Sequence, residues 1–323
     1  MSENKTKRLS GLLTSQSFVL FVLILVISII VRSINPKFLA WNNISSILRQ
    51  ATALGLVACG TTILVISGSF DISLGSMIGL VTCVMAIMLN AGCSDLVVAV
   101  AAIGMCVACS LLNGGISLLF NAPPFIVTLA TGNVYLGMAL LFTKGYLQTV
   151  YGKFRFVAST QLFGFFHMQF LILILGFLAV HFILKWTRTG REVYAIGTNE
   201  NAAYISGINV KWSKLKFFAI SGVLTGVACI VLLSRLSCAQ STTGSGMELE
   251  AIGAVVIGGS SVNGGKGNVV GTFFGVILLS MISNAINMLQ ISAYYQDVVY
   301  GLIIIVALGI TAARNLMLKR KAA

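Results

Sequence analysis

A ten-residue run rich in glycine, GGSSVNGGKG at residues 258–267, has the composition of a loop that holds phosphate. A nucleotide-binding loop needs Gly, four residues and then Gly-Lys-Ser/Thr, so that backbone amides surround the phosphates and the hydroxyl reaches Mg²⁺. Counted back from Gly265-Lys266, the first glycine position holds Ser260, and Gly267 stands where the hydroxyl is needed. Both ends of the pattern fail, so the run predicts no nucleotide site.

One acidic residue, Asp71, lies deep in apolar sequence, within SGSFDISLG at residues 67–75. An ionisable group inside a membrane is by default functional, because burying it without compensation is costly. We expect its carboxylate to cap backbone N–H groups that are freed where a helix breaks, in preference to binding a ligand. Gly68, Ser69 and Ser73 would supply those groups.

Several neutral polar side chains share two helix faces, one after Pro124 and one in the run 268–290. Their i, i+3 and i+7 spacing places them on one side of each helix. Such groups exchange hydrogen bonds with an uncharged polar solute without holding it too tightly to release. Polar contacts between helices explain the same pattern equally well. The residues predicted to contact such a solute, named here the predicted translocation residues, are Asp71, Ser73, Phe125, Thr128, Thr131, Tyr135, Asn284 and Asn287.

The composition is that of a membrane protein. Of 323 residues, 57% are apolar and only 9% are charged, whereas a soluble domain carries about a quarter charged residues. Most of the apolar runs are long enough to cross about 30 Å of hydrocarbon as helices. They lie near 17–33, 51–67, 75–90, 95–120, 125–143, 167–184, 215–233, 250–260, 268–290 and 297–312. We predict an all-α polytopic fold with about ten transmembrane helices, some broken or re-entrant.

The positive charges indicate topology. The 21 Lys and Arg residues, which give a formal charge of +13, lie between apolar runs and not on one soluble face, so they do not predict nucleic-acid binding. Basic clusters precede the first run and follow the last, which places both termini in the cytoplasm. The chain is predicted to be a single transmembrane domain over 1–323, with cytoplasmic tails at 1–14 and 314–323 and a cytoplasmic loop at 187–213.

Two interruptions of the apolar pattern are similar. Ile66-Ser-Gly-Ser69 in the first half matches Ile257-Gly-Gly-Ser260 in the second. Interrupted helices at corresponding positions of two halves are typical of transporters built from repeats, and an ordinary turn between two spans is the alternative. We predict a pseudo-repeat of two halves. Broken-helix backbone is expected at Gly68, Gly75, Gly258, Gly259, Gly264 and Gly265.

Two further segments are predicted to lie outside the spans. Residues 38–50 carry apolar side chains at helical spacing and predict a short helix in the membrane interface. Residues 234–250 are expected to form an outer loop. Its charged residues, Arg235, Glu248 and Glu250, would either contact a partner protein or be solvated by water.

The loop at 187–213 contains a compact helix signal. Asn199 can cap a helix, Glu200 complements its N-terminus, and Gly207 can take the left-handed conformation that ends it. Such a helix has about two turns, fewer than the roughly 12 residues needed for stability alone in water, so it must dock on a surface.

This helix resembles a known motif. Asn201-Ala-Ala-x-x-x-Gly207 is similar to the Glu-Ala-Ala-x-x-x-Gly coupling motif of binding-protein-dependent ABC importer permeases, with Asn in the Glu position. The whole chain, from about residue 36 to 312, resembles the ribose-type monosaccharide permeases, although Phe70 stands where a smaller residue is usual. The motifs are SGSFDISLG at 67–75, PPFIVTL at 123–129, GREVYAIG at 190–197, SGINV at 206–210 and GGKG at 264–267.

The resemblance implies a non-catalytic membrane subunit that forms a homodimer, or a heterodimer with a homologue, in the lipid bilayer of the bacterial inner membrane. A periplasmic binding protein would deliver a monosaccharide. A separate ABC ATPase, which binds ATP and magnesium, would grip the cytoplasmic loop, and this chain would need no cofactor or metal and would bind no nucleic acid. The expected coupling residues are Gly190, Arg191, Asn199, Glu200, Asn201, Ala202, Ala203, Tyr204 and Gly207.

Other classes fit the pattern less well. An ion-coupled secondary transporter would explain the repeat and Asp71, but it predicts no short partner-seeking helix in the main cytoplasmic loop. An ABC permease for branched-chain amino acids has a similar architecture and is disfavoured by the ribose-type motifs. An intramembrane enzyme would need paired acids, a His/Ser arrangement or metal-ligand spacing, and the spans contain none of these.

Overall fold

The computed structural model of the protein describes residues 16–162, 166–292, 294–296, 298–302, 305 and 309. The predicted tails at 1–14 and 314–323 lie outside these residues, and so does part of the predicted last span at 297–312.

The described chain is helical, with four strands of two residues each. In chain order the helices are α1 (Gln16–Ile34), a 3₁₀ turn (Pro36–Leu39), α2 (Trp41–Ile66), α3 (Leu74–Asn90), α4 (Asp95–Leu119), α5 (Pro124–Thr143), α6 (Arg155–Ser159), α7 (Met168–Trp186), α8 (Arg188–Thr198), α9 (Glu200–Ile205), α10 (Val210–Leu236), α11 (Met247–Ile257) and α12 (Val269–Met288). Residues 294–296 and 298–302 are also helical. The antiparallel strand pairs are β1 (Gln148–Thr149) with β4 (Cys238–Ala239), and β2 (Gln161–Leu162) with β3 (Phe166–His167).

The predicted all-α polytopic fold is confirmed for the described residues. Seven helices are long and apolar enough to cross a membrane: α1, α2, α4, α5, α7, α10 and α12. Two of the ten predicted runs form shorter helices, since α3 has 17 residues and α11 has 11. At about 1.5 Å per residue, α11 is too short to span the hydrocarbon region.

Helix α2 lies at the centre of the bundle. In its most apolar stretch 89% of the residues are buried, compared with 11% in the peripheral α1. Small residues allow this central position, because they let neighbouring helices approach closely. Gly55 lies against Leu173 and Phe177 of α7, and Gly60 lies against Ser221 of α10.

The predicted interface helix at 38–50 does not exist as a separate element. From Trp41 onwards these residues are the first turns of α2, which continues without interruption to Ile66. The apolar side chains at helical spacing were a correct helix signal, and they differ in burial, since Trp41 is 44% exposed. Ile47 is buried, and Asn43 donates to Asn284 of α12 at 2.9 Å.

The predicted outer loop at 234–250 is also wrong for its charged residues. Helix α10 extends to Leu236 and includes Arg235, while Glu248 and Glu250 occupy the first turn of α11. The connection folds back into the bundle, because a Cβ on Gly79 of α3 would meet the backbone carbonyl oxygen of Ser241. The carboxylate of Glu248 fills the space beside Gly75.

The bundle has two ends. The strand end contains both strand pairs and the connection between α3 and α4. At this end the Asp95 carboxylate accepts from the Phe154 backbone N–H at 2.7 Å. The other end, named here the α8–α9 end, gathers α8, α9, the residues that follow α2 and the glycine-rich run 258–267.

Candidate functional site

Helices α8 and α9 form a capped pair. The Thr187 hydroxyl accepts from the Gly190 N–H at 3.3 Å, and the Asn199 side chain accepts from the Ala202 N–H at 3.0 Å. Gly207, at φ 84°, ends α9 in the left-handed conformation. The predicted cap and stop of this short helix are therefore confirmed.

Acidic side chains fix the pair to α10. Glu192 is only 5% exposed, and its carboxylate accepts from Arg188 Nε at 3.0 Å and Ser213 Oγ at 2.9 Å. Lys216 Nζ lies 3.7 Å from the same carboxylate. On the surface, Lys214 Nζ donates to Glu200 at 2.7 Å. A carboxylate with charge-assisted donors from two helices holds α8 in a defined position. Glu192 was missed as a site residue, although its i, i+4 spacing from Arg188 is a readable signal.

Helix α9 exposes two large apolar side chains. Tyr204 is 72% exposed and Ile205 is 83% exposed, whereas Ala203 is buried beneath them. The other predicted coupling residues Arg191, Asn199, Glu200, Asn201, Ala202 and Gly207 are also exposed. Gly190 is buried, where a Cβ would meet the carbonyl oxygens of Ile183 and Leu184. Exposed large side chains on a fixed helix are suited to binding another protein.

The glycine-rich run joins α2 to α8. The Gly265 N–H donates to the carbonyl of Ile66 at 2.8 Å, and the Tyr194 hydroxyl donates to the carbonyl of Gly267 at 3.0 Å. Burial raises the pKa of Tyr194. A Cβ on Gly197 would meet the Ile66 carbonyl. These glycines therefore permit backbone to pack on backbone, and Gly264 and Gly265 both have positive φ.

A second polar region surrounds Asp71. The side chain is 1% exposed, and its Oδ1 accepts from the Ser73 N–H at 3.0 Å and from Ser73 Oγ at 2.6 Å. Asn113 of α4 donates to Asp71 Oδ2 at 3.3 Å and to Ser73 Oγ at 2.8 Å. Tyr135 of α5 in turn donates to Asn113 Oδ1 at 3.0 Å. We call these four residues and Thr128 the Asp71 cluster.

The Asp71 cluster ties the segment after α2 to two other helices. Thr128 Oγ1 accepts from the Ile72 N–H at 3.1 Å, which fixes that segment to α5. The predicted capping by Asp71 is correct for Ser73 and wrong for Gly68 and Ser69. Their amides donate instead to the carbonyls of Val65 and Leu64, at 3.0 and 2.8 Å, and so belong to the end of α2.

The remaining predicted translocation residues lie outside this cluster. Phe125 is 49% exposed on α5, and Asn287 is exposed on α12. Thr131 is half-buried and donates to the Thr128 carbonyl at 3.3 Å. Asn284 accepts from Asn43 of α2. Asn113 was missed, although a lone amide in the apolar run 95–120 is a recognisable signal for a buried polar contact.

Comparison with known proteins identifies the chain. Residues 43–308 match the family described as "Branched-chain amino acid transport system / permease component". The chain belongs to this permease family. The ribose import permease protein RbsC of Bacillus subtilis is 37% identical over 292 residues, covering 89% of each chain. RbsC of Escherichia coli is 35% identical over 88% of this chain and 90% of its own length. The D-allose transport system permease protein AlsC of Escherichia coli is 34% identical, with 90% of each chain covered. No solved structure matches.

The ribose-type resemblance is confirmed by these relatives, and the chain is a multi-pass permease component and not an enzyme. Among the described residues of the permease, no three His, Cys, Asp or Glu side chains group as a metal site.

Proposed function

We propose that this permease is the membrane subunit of an ATP-driven importer for a monosaccharide of the ribose or allose type. Relatives named as ribose and D-allose permeases align with it over nearly their whole length. The observation in the molecule that supports ATP coupling is α9, a capped helix that turns two large apolar side chains outwards.

In this proposal α8 and α9 transmit movement from the ATPase. Tyr204 and Ile205 would enter a groove on that subunit, with Asn201, Ala202 and Arg191 around them. Glu192 would carry the force into α10, because a buried carboxylate with donors on α8 and α10 resists sliding of one helix past the other. ATP and magnesium would bind only in the partner.

The proposed orientation rests on the majority of the positive charges, against which Lys37, Arg49, Lys144, Lys153 and Arg155 lie toward the strand end. The α8–α9 end holds Lys185, Arg188, Arg191, Lys211, Lys214 and Lys216, so we place it in the cytoplasm of a bacterial inner membrane, with both termini on the same side. The strand end would then receive a loaded binding protein from the periplasm. About ten membrane passages, two related halves and a homodimer complete the proposal, with a heterodimer as the alternative.

The Asp71 cluster would act as a structural hub and not as a sugar contact. Each of its polar groups already has a protein partner, and Asp71, Ser73, Asn113 and Thr128 are at most 1% exposed. The other predicted positions, Phe125, Thr131, Asn284 and Asn287, stay candidates for polar or apolar contact along the route.

Two alternatives remain as outcomes of a test. An ion-coupled secondary transporter would work without an ATPase, and a permease for branched-chain amino acids would respond to a different solute. The family description names branched-chain amino acids. The relatives that are named for ribose and D-allose favour a monosaccharide.

The proposal is tested in proteoliposomes that contain the permease and its ATPase, with loaded binding protein supplied outside. Tyr204→Ala should lower sugar-stimulated ATP hydrolysis about tenfold and reduce co-purification of the ATPase, because it removes an exposed aromatic anchor. Tyr151→Ala is the matched control, since Tyr151 is 82% exposed at the strand end; it should retain the ATPase. Sugar uptake by the permease alone, driven by an ion gradient, would overturn the proposal.

A further inference from the structure

The segment 144–156, which follows α5 at the strand end, is strongly basic and is called here the basic loop. Its sequence, KGYLQTVYGKFRF, contains three Lys or Arg residues and four aromatic residues but no acid. In membrane proteins Lys and Arg concentrate in the cytoplasmic loops. Because the strand end is proposed to face the periplasm, membrane topology does not explain these charges, and they indicate a role of their own.

Contacts with the rest of the bundle hold the basic loop in place. Its strand β1 pairs with β4, and the Val150 N–H donates to the Ser237 carbonyl at 2.9 Å. The Phe154 N–H donates to the Asp95 carboxylate at 2.7 Å. The side chains of Val150 and Phe154 are both buried. The connection at 237–239, which was predicted to belong to an outer docking loop, therefore supports the basic loop instead.

Between these contacts the basic loop exposes large and charged side chains. Tyr146 is 72% exposed and Tyr151 is 82% exposed, and Lys144 and Arg155 are exposed beside them. Within the described part of the chain, neither these two cations nor Lys153 forms an ion pair. Tyr and Arg are enriched among the residues that dominate binding between proteins. A loop that is already fixed also loses less conformational freedom when it binds.

We propose that the basic loop is the surface on which the loaded binding protein docks, and that the binding protein presents carboxylates to Lys144, Lys153 and Arg155. This inference rests on the proposed sugar import. A loop with three cations and no acid attracts an acidic surface, and opposite charges speed the encounter and fix the orientation of the two proteins. Tyr146 and Tyr151 would supply the apolar contact that holds the complex together.

The first test compares two arginine variants in proteoliposomes that contain the permease and its ATPase. Arg155→Glu should raise the concentration of loaded binding protein needed for half-maximal ATP hydrolysis about tenfold at low salt, because repulsion replaces attraction. The shift should shrink as salt is added. Maximal hydrolysis and co-purification of the ATPase should equal those of the wild type. Glu suits the first turn of a helix, so α6 should still form.

Arg32→Glu is the matched control. Arg32 is also exposed, but it lies in the last turn of α1 and outside the basic loop. Its half-maximal concentration should equal that of the wild type.

The outcomes separate the docking surface from the function. An unchanged half-maximal concentration for Arg155→Glu, or an equal shift for Arg32→Glu, would overturn the docking surface while sugar import stands. A shift that appears in vesicles with anionic phospholipid and vanishes in neutral vesicles would assign the basic loop to lipid headgroups and overturn it as well. If loaded binding protein stimulates no ATP hydrolysis by the wild type, the proposed function fails and the docking surface fails with it.

A second measurement locates the contact by cross-linking. A photoreactive phenylalanine analogue in place of Tyr146 should cross-link to the loaded binding protein, and the yield should fall when Arg155→Glu is added at low salt. The same analogue in place of Phe182, which is 57% exposed on α7, should give no such product. Absence of the cross-link at Tyr146 under conditions of stimulated ATP hydrolysis would contradict the proposed surface.

Discussion

The C-terminal ends of α2 and α11 have the same backbone geometry but different hydrogen-bond partners. Two residues after Ile66 and two after Ile257 there is a glycine with positive φ, Gly68 at 78° and Gly259 at 97°. In both, the glycine amide and the next amide donate back to carbonyls in the last turn, as in a Schellman cap. The carbonyl of Ile66 accepts from the Gly265 amide, and that of Ile257 accepts from the Gln16 side chain.

This difference shows what the similar sequences encode. ISGS and IGGS specify a helix stop, and α9 ends in the same way, with Gly207 N–H donating to Tyr204 and Ile208 N–H donating to Ala203. The shared cap is therefore local chemistry and does not by itself establish a repeat of two halves, which stays a prediction. The two ends differ in the segments that follow them. The Asp71 cluster follows α2. The glycine-rich run 258–267, which joins α2 to α8 and is called the junction below, follows α11.

The largest expected effect is on the segment after α2. Asp71→Ala would leave the Ser73 N–H and hydroxyl buried without their acceptor, and Asn113 would keep only Ser73 Oγ as an acceptor, so we expect a loss of about 3 kcal/mol in the free energy of unfolding. Asp71→Asn keeps one acceptor oxygen and should lose less. Unfolding in mixed micelles, followed by protease susceptibility, measures both. Full stability of Asp71→Ala with lost transport would instead assign Asp71 to the sugar.

The junction after α11 should respond to Gly197→Ala. The added methyl group would meet the Ile66 carbonyl and the Gly265 amide, and overpacking of this kind costs about 2 kcal/mol. Because the junction links α2 to α8, we also expect weaker sugar-stimulated ATP hydrolysis. Gly104→Ala is the control, since nothing lies within 4 Å of a Cβ there. Equal behaviour of the two variants would show that the junction is not tightly packed.

The caps themselves should differ in a predictable order. An alanine at positive φ costs about 1–2 kcal/mol, and Gly68→Ala should show only this cost because the space around it is open. Gly259→Ala should cost about 1 kcal/mol more, since its methyl group would lie 2.7 Å from Gln16 Oε1. Paired denaturation curves would establish the order. A greater loss for Gly68→Ala would contradict the proposed difference in support.

The smallest effect is expected for Gln16→Ala, which removes the 3.1 Å bond to the Ile257 carbonyl. Such a bond contributes about 1 kcal/mol or less at a partly exposed site. In the double variant with Gly259→Ala, the extra cost of the methyl group should disappear, so the two changes should not be additive. Strict additivity would mean that Gln16 does not support this helix end.

Local sequence chemistry predicted the features that depend on near neighbours. The cap at Asn199 and the stop at Gly207 both form as expected, because each requires only hydrogen bonds within one short segment. The continuity of α2 through 41–66 was not predicted. Periodicity marked 38–50 as helical but carried no information on whether those residues face lipid or protein.

Composition and spacing alone determined that this protein is a polytopic helical membrane protein with a short docked helix signal at 199–207, and the resemblance of its motifs to a known family added that it is a permease. Only the tertiary structure decided which polar groups meet. Asp71, Asn113 and Tyr135 come from separate segments, and Gly197, Gly265 and Ile66 meet across three elements. The spacing of apolar residues predicts a helix from sequence because the side chains that a helix buries recur about every 3.6 residues. The partners of a buried polar group depend on how helices pack, and in a bundle of similarly apolar helices that is set by close fit and not by hydrophobicity.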